Sequence, residues 1–510
     1  MKIAVIGTGL SGYGAIQYLI QNNLEFDIYD VGERENLEIQ DLKKRLKNSD
    51  TKFWKKEDIS LLKSFSNFKN KIIRKKYFGS EYIYKNLSSS SKNNAYIPYS
   101  HALGGYSNVW SANAFALDKK ILNDWPEESI LNLNDYNEVI KNVEYDEESN
   151  DFKNLFPNLK SEKSKKKNSE ISEYVFNKLK KINSKNFLSG KIRSLINYND
   201  KTKNSCNYCG FCFTGCAYGS IFNTKDEILN FLNKKNVNFF NSFELISFKE
   251  INEKVHLSLK KKGEVHIKVY DKVFIGAGAV NTTKIIAKSL SLYDKELKIK
   301  YALSFVIPVL FNNKFKFKWP NLNTLPSNAF VFKKDDLKNW IYGHISETNE
   351  LILNYFKYFK IDSFLKKFLS SLIKKFFTVQ IQVGFNEKFY YSFILKKNHS
   401  IEIERKTLEL KSISKNIEKF VSDRLSKIGF ITIPFFTKIT SLDDNYYLGS
   451  SFPMSKTKNN YNLDLIGRPF GFRNTHIIDS TSFPSIPSVG FGFLCMANSY
   501  RITKSSLRSV

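Results

Sequence analysis

The first thirty residues, MKIAVIGTGLSGYGAIQYLIQNNLEFDIYD, constrain the fold of this chain more than any other stretch. Lys2 to Ile6 is a short apolar run that reads as a buried parallel strand, and it feeds directly into Gly7-Thr8-Gly9-Leu10-Ser11-Gly12. In such a turn Gly7 permits the tight bend, Gly9 lets the backbone approach a pyrophosphate, and Gly12 lets the next helix pack close on the strand. The unpaired N–H groups of the first helical turn, Leu10 and Ser11 among them, then face the phosphates together with the positive end of the helix dipole. A second strand, Phe26 to Tyr29, ends in Asp30, an acid placed to accept ribose hydroxyls. Strand, glycines, helix, strand and acid together define a dinucleotide-binding unit.

Which dinucleotide it holds follows from the rest of the chain. With 510 residues the protein has ample length for two domains with separate cores. No second strand–GxGxxG–helix unit follows to bind a diffusing nicotinamide cofactor. One resident FAD, held by the N-terminal turn and by segments distant in sequence, fits better. The expected architecture is α/β: a Rossmann-like FAD-binding domain from 1–298 and 442–510, with a mainly antiparallel substrate domain at 299–441. The strand candidates YALSFVIPVLF, FTVQIQVGF, FYYSFIL and SIEIE fall in that second domain. Residues 144–172, acidic and then SEKSKKKNSE, read as a solvated insertion.

Composition narrows the class further. The net charge of +29 does not identify a nucleic-acid binder, because only ten of the 79 basic residues are Arg and Lys is spread along the whole chain. No apolar run is long enough for a transmembrane helix, and the first strand sits where a secretory signal would lie, so the cytoplasm is the expected compartment. From Ile361 to Phe377 apolar residues recur at helical spacing, Phe364, Leu365, Phe368, Leu369, Leu372, Ile373, opposite Lys366, Lys367, Lys374 and Lys375. This predicts an amphipathic helix that either caps the substrate sheet or contacts an anionic membrane.

Further segments resemble the glucose–methanol–choline (GMC) oxidoreductase superfamily. Gly104-Gly105-Tyr106-Ser107-Asn108-Val109-Trp110 is similar to its flavin-contacting loop, and Val273 to Ala279 to its second strand–turn, with Phe243-Glu244-Leu245 upstream. LGSSFPM at 448–454 and DLIGRPFGFRNTHIIDSTSFPSIPS at 464–488 resemble its closing signature. YFGSEY at 77–82 and DWP at 124–126 resemble the subgroup associated with bacterial polysaccharide and lipopolysaccharide biosynthesis. The resemblance implies FAD contacts from Gly104, Gly105, Ser107, Asn108 and Trp110, from Phe243 beside the adenine, and from Ala277 and Gly278. It also implies that Asp479 approaches the pyrophosphate–ribityl region and that Phe483 and Pro484 approach the flavin ring.

The chain departs from this family where the chemistry is done. The family places a His three residues before the glycine matching Gly449, and a His or Asn near Gly490; here those positions read Tyr446, followed by Tyr447, and Gly490. Tyr446 and Tyr447 therefore become candidates for the base, beside a residue from 300–440 or a reaction that needs no base. His476, in the strand before Asp479, is expected to be structural. Four of the five cysteines form Cys206-x2-Cys209-x2-Cys212-x3-Cys216, the spacing of ferredoxin cluster ligands with Ala217 in place of proline. An iron–sulfur cluster, a zinc site or free thiols in a tight turn all remain open. Cys495, alone in an apolar stretch, reads as a small buried hydrophobe. The implied function is FAD-dependent oxidation of a CH–OH group on a sugar-like substrate. An FAD-dependent reductase or isomerase, or a catalytically inactive flavin-fold scaffold at a membrane, stands as the alternative.

Overall fold

The computed structural model describes residues 1–64, 79, 82–85, 96–146, 151–160, 163–212, 215–312, 324–334, 337–347, 375–384, 389–407, 410–440 and 446–508. Its first layer is a five-stranded parallel sheet in the order Thr475–Ile477, Lys272–Ile275, Ile3–Ile6, Phe26–Asp30, Val237–Asn241. Every residue of Ile3–Ile6 is buried, as a central strand covered on both faces requires. The helix Leu10–Gln21 follows and packs along the last helix, Gly492–Arg508. That packing is close because Gly14 has no side chain: a Cβ there would stand 2.0 Å from the Met496 carbonyl oxygen. A hairpin of Lys254–Lys261 and Glu264–Tyr270, joined by a third antiparallel strand, Glu244–Ile251, leads back into the buried strand Lys272–Ile275.

Two antiparallel sheets make the second layer. The larger has seven strands and runs Phe430–Thr432, Leu303–Phe311, Phe376–Val383, Leu337–Glu347, Asn328–Lys334, Phe187–Lys191, with Lys438–Ile439 also paired to Leu303–Phe311. Its edge strand Phe187–Lys191 comes from within 1–298, so the antiparallel layer draws on sequence assigned to the first domain. The smaller sheet runs Ile401–Thr407, Phe389–Leu395, Glu296–Tyr301, Leu448–Gly449.

Two expectations are corrected here. The described residues of 144–172 do not form a solvated insertion. Phe152, Leu155, Phe156 and Leu159 are buried, with Phe115 and Phe156 rings 4.6 Å apart, because apolar residues spaced among the charges anchor the segment in the core. Lys166 is buried as well. Of the stripe at 361–377, residues 361–374 lie outside the described residues, while Phe376 and Phe377 begin the strand Phe376–Val383 rather than end a helix. No helix among the described residues is long and apolar enough to cross a membrane.

Candidate active site

A cavity of about 1020 Å³ runs from the first glycine turn to the larger antiparallel sheet. Its floor is set by the glycines. Gly7 has φ +96°, and a Cβ on it would meet the Gly276 carbonyl oxygen at 2.4 Å; one on Gly12 would meet the Gly7 oxygen at 2.0 Å. Gly9 differs, since nothing lies within 4 Å of its would-be Cβ. It caps the helix Leu10–Gln21 and, with Leu10 and Ser11, faces the cavity. The Gly104–Gly105 loop closes over this turn, a Cβ on Gly105 lying 3.5 Å from Gly9 Cα. A cradle of open helix N–H groups beneath a glycine loop fits a pyrophosphate.

Asp30 lines the cavity at the ribose end, but it also holds the turn together. Its Oδ2 accepts from Thr8 N at 2.6 Å and Thr8 Oγ1 at 2.5 Å, and its Oδ1 accepts from Gly32 N at 2.6 Å. A carboxylate has about four acceptor positions, so one remains for a ribose hydroxyl. Burial raises this carboxyl to about 6, opposed by the Thr8 and Gly32 hydrogen bonds. Phe243 lines the cavity at the same end, beside Val31, Tyr99, His101 and Lys284.

Several expected cofactor residues act from behind the wall instead. Ser107 and Asn108 do not line the cavity: Ser107 Oγ donates to Gly104 O at 2.6 Å, and Asn108 Nδ2 donates to Leu103 O and Gly105 O at 3.0 and 2.8 Å. They hold the loop so that Tyr106, Val109 and Trp110 form its inner surface. Gly104 likewise sits behind, its N donating to Thr8 Oγ1 at 2.9 Å. Ala277 and Gly278 line the cavity, and Asp479 braces them, its Oδ2 accepting from Gly278 N at 2.9 Å and Thr282 Oγ1 at 2.6 Å. Phe483 is a core residue, its ring packing 5.1 Å from Trp125 and 5.6 Å from Phe491, and the half-buried Pro484 also lies off the cavity wall. The cavity wall at this end is Gly490, Phe491 and Gly492, which the sequence reading did not assign.

Tyr446 and Tyr447 both face the cavity. The Tyr446 ring stands edge-on to Tyr106 at 5.3 Å, and the Tyr447 ring edge-on to Phe491 at 5.4 Å. A Cβ on Gly490 would lie 3.6 Å from Tyr447 Oη and 3.3 Å from Asn113 Nδ2. The space that a side chain at 490 would use is thus met by a phenol and an amide. Asn113 was missed; its one cue is its place three residues after Trp110. His476 is structural, as expected: Nδ1 pairs with Ile466 O at 2.9 Å, Nε2 with Ser506 Oγ at 2.8 Å, and burial lowers its pKa to about 4.

Opposite the nucleotide half, the larger sheet presents a polar stripe. Tyr342 pairs with Gln382, His344 with Gln380 and Ser346 with Thr378, and all six line the cavity. In antiparallel strands such directly opposed residues share one face. The far end carries buried charge. Lys166 Nζ donates to Leu325 O at 2.7 Å, and Glu347 accepts from Ser169 Oγ at 2.9 Å. Burial pushes the lysine down and the glutamic acid up.

The cysteine run does not meet the metal expectation. Among the described residues no group of three or more His, Cys, Asp or Glu side chains is placed to hold a metal ion. Cys209 packs in a small core with Trp54, Phe211 and Tyr218, whereas Cys206 and Cys212 pack on the main core and Cys216 touches both. Burial raises Cys206 to about 11 and Cys209 to about 12. Cys212 reaches the cavity wall. Cys495 is buried, as read, but it too lines the cavity, near Ser11.

A parallel sheet with a glycine cradle, facing a polar antiparallel sheet across one cavity, is the build of a flavin-dependent oxidoreductase. Residues 78–291 match the family model described as GMC oxidoreductase. A crystal structure of pyridoxine 4-oxidase from Mesorbium loti has the same fold at a TM-score of 0.56 and 10% identity, covering 99% of this chain and 98% of that one. A comparison with curated proteins gives no match. The segment 78–291 is similar to GMC oxidoreductases, and with the shared fold it supports an FAD-dependent oxidoreductase.

Proposed function

We propose that this enzyme oxidises a CH–OH group of a sugar or sugar-derived substrate. One observation carries the reading: Tyr447 Oη and the Asn113 amide converge beside Gly490, where the nucleotide half of the cavity meets the polar stripe. FAD supplies the two-electron acceptor. The stripe of Tyr342, Gln382, His344 and Gln380 binds and orients the hydroxylated substrate. Asn113 donates to the reacting oxygen, and Tyr447 Oη, as the phenolate, accepts the hydroxyl proton while the carbon gives up its hydrogen with the bonding electron pair. The polar lining supports a hydroxyl-rich ligand. The resemblance of 77–82 and 124–126 to the polysaccharide-biosynthesis subgroup supports surface glycan assembly as the setting. The test is anaerobic mixing of FAD-loaded protein with free sugars, nucleotide sugars and pyridoxine. Loss of the oxidised flavin band is expected with a sugar-type compound; bleaching by dithionite alone overturns the reading in favour of a reductase, an isomerase or an inactive scaffold.

A second reading concerns where the enzyme works, and it places the protein peripherally on an anionic membrane. Pro434-Phe435-Phe436 forms a turn that leaves Phe435 91% and Phe436 66% exposed, with Ile431 at 53% on the neighbouring edge strand. Exposed Lys375 and Lys427 flank the ends of strands paired there. Aromatic side chains beside lysines suit the boundary of an acidic bilayer. The protein should float with phosphatidylglycerol vesicles and not with phosphatidylcholine ones, and Phe435→Ser/Phe436→Ser should abolish flotation. A parent protein that ignores both vesicles rules the idea out.

A further inference from the structure

We infer that Tyr342 and Gln382 form a donor pair that recognises oxygen on the substrate away from the reacting carbon, making them specificity-determining residues. The inference rests on the alcohol-oxidising reading of the cavity and names what the second sheet adds to it. Tyr342 on Leu337–Glu347 and Gln382 on Phe376–Val383 are directly opposed across the antiparallel pair, so both reach one face. Both line the cavity, and both are almost wholly buried, at 1% and 4% exposure. Among the described residues, Tyr342 Oη and Gln382 Nε2 have no hydrogen-bond partner.

Buried polar groups in folded proteins are nearly always paired, and two adjacent exceptions on a cavity wall call for a ligand. The alternate residues Ile381 and Val379 are buried in the core, which fixes the strand so that the polar side chains cannot turn away. Phe115 stands edge-on to the Tyr342 ring at 6.1 Å and supports it from the side. The sheet itself is clamped to the closing signature, Ser488 Oγ donating to Trp340 O at 2.5 Å. A Cβ on Gly384 would lie 2.9 Å from Ile486 O.

The chemistry of the pair selects the ligand. Gln382 Nε2 is a donor only, and a phenol buried this deeply stays protonated, so the pair offers hydrogens to acceptor oxygens. A monohydric alkyl alcohol has no second oxygen to give. A polyol, a sugar ring or a hydroxyl flanked by a carbonyl has one. A site built for such an oxygen penalises any substrate lacking it, because its donors are then left buried and unmade.

Two measurements on the FAD-loaded enzyme test this, with Tyr342→Phe and Gln382→Met. An unmade donor contributes nothing to the unliganded fold, so both variants should melt at or above the parent temperature. In anaerobic flavin reduction, kcat/KM for glycerol or D-glucose relative to 1-propanol should fall roughly 10–100-fold, mostly through KM. Melting several degrees below the parent in both variants shows that the groups hold the fold, and overturns the inference. An unchanged selectivity ratio overturns it equally. Should no alcohol reduce the flavin in any variant, the oxidation reading fails, while the melting comparison still judges the donor pair.

Discussion

Gly9→Val should yield a folded, colourless protein. The prediction is discriminating because Gly9 is not a conformational necessity: its φ of −66° and ψ of −172° are open to any residue, and its would-be Cβ touches nothing. The branched side chain would instead fill the space in front of the first-turn N–H groups. Losing two charge-assisted bonds to a phosphate weakens FAD binding about 10²–10⁴-fold. The cost to the fold is confined to a poorer helix cap, about 1 kcal/mol. Gly7→Val and Gly12→Val behave differently, since their side chains collide with backbone carbonyls at 2.4 and 2.0 Å, and those chains should fail to fold. Flavin absorbance per folded chain, with circular dichroism as the control, separates the cases. Full flavin occupancy in folded Gly9→Val would remove the nucleotide site from this turn.

Tyr447→Phe should slow flavin reduction about 10²–10⁴-fold while leaving FAD content unchanged, the loss expected for one positioned acid–base group. The ring contact with Phe491 survives the change and only the hydroxyl beside Gly490 and Asn113 is removed. Tyr446→Phe should cost much less, because Tyr446 is placed by its ring against Tyr106. If the phenol must be ionised to accept a proton, the parent rate climbs with pH and the Tyr447→Phe rate loses that climb. Stopped-flow reduction across pH, using whichever substrate bleaches the parent, reads both effects. Equal rates in parent and Tyr447→Phe move the base to the polar stripe, where His344 faces the cavity.

The parts of the site that are local in sequence were legible from it. Gly7, Gly9 and Gly12 form one turn, and Ala277-Gly278 ends one strand, so spacing alone locates them. The stripe was hidden for a physical reason. Tyr342 and Gln382 meet only through strand register across 39 residues of intervening chain, and alternation alone does not say which face a strand buries. Asn113 was hidden because its partner is an empty space at Gly490, which no residue type announces. The cysteine run stays undecided for the opposite reason. Its spacing matches a ligand set, yet the aromatic side chains Trp54, Phe211 and Tyr218 draw part of it into a separate core. At 144–172 the charges dominated the composition, although Phe152 and Phe156 decide where that backbone goes.

The helices Leu10–Gln21 and Gly492–Arg508 lie side by side. Strand Thr475–Ile477 completes one side of the parallel sheet, and Ser499 Oγ in the last helix donates to Ser11 O in the first. Contacts spanning nearly the whole sequence are the slowest to form. While the chain is still on the ribosome, the glycine turn has been made but its neighbour helix has not. The cradle therefore stays unfinished, with the apolar side of helix Leu10–Gln21 uncovered, until synthesis has passed Arg508. Cofactor capture consequently follows synthesis of the helix Gly492–Arg508 and coincides with closure of the core. A cell short of flavin would be left with chains whose helix Gly492–Arg508 docks loosely, and loosely docked helices are where proteases gain entry.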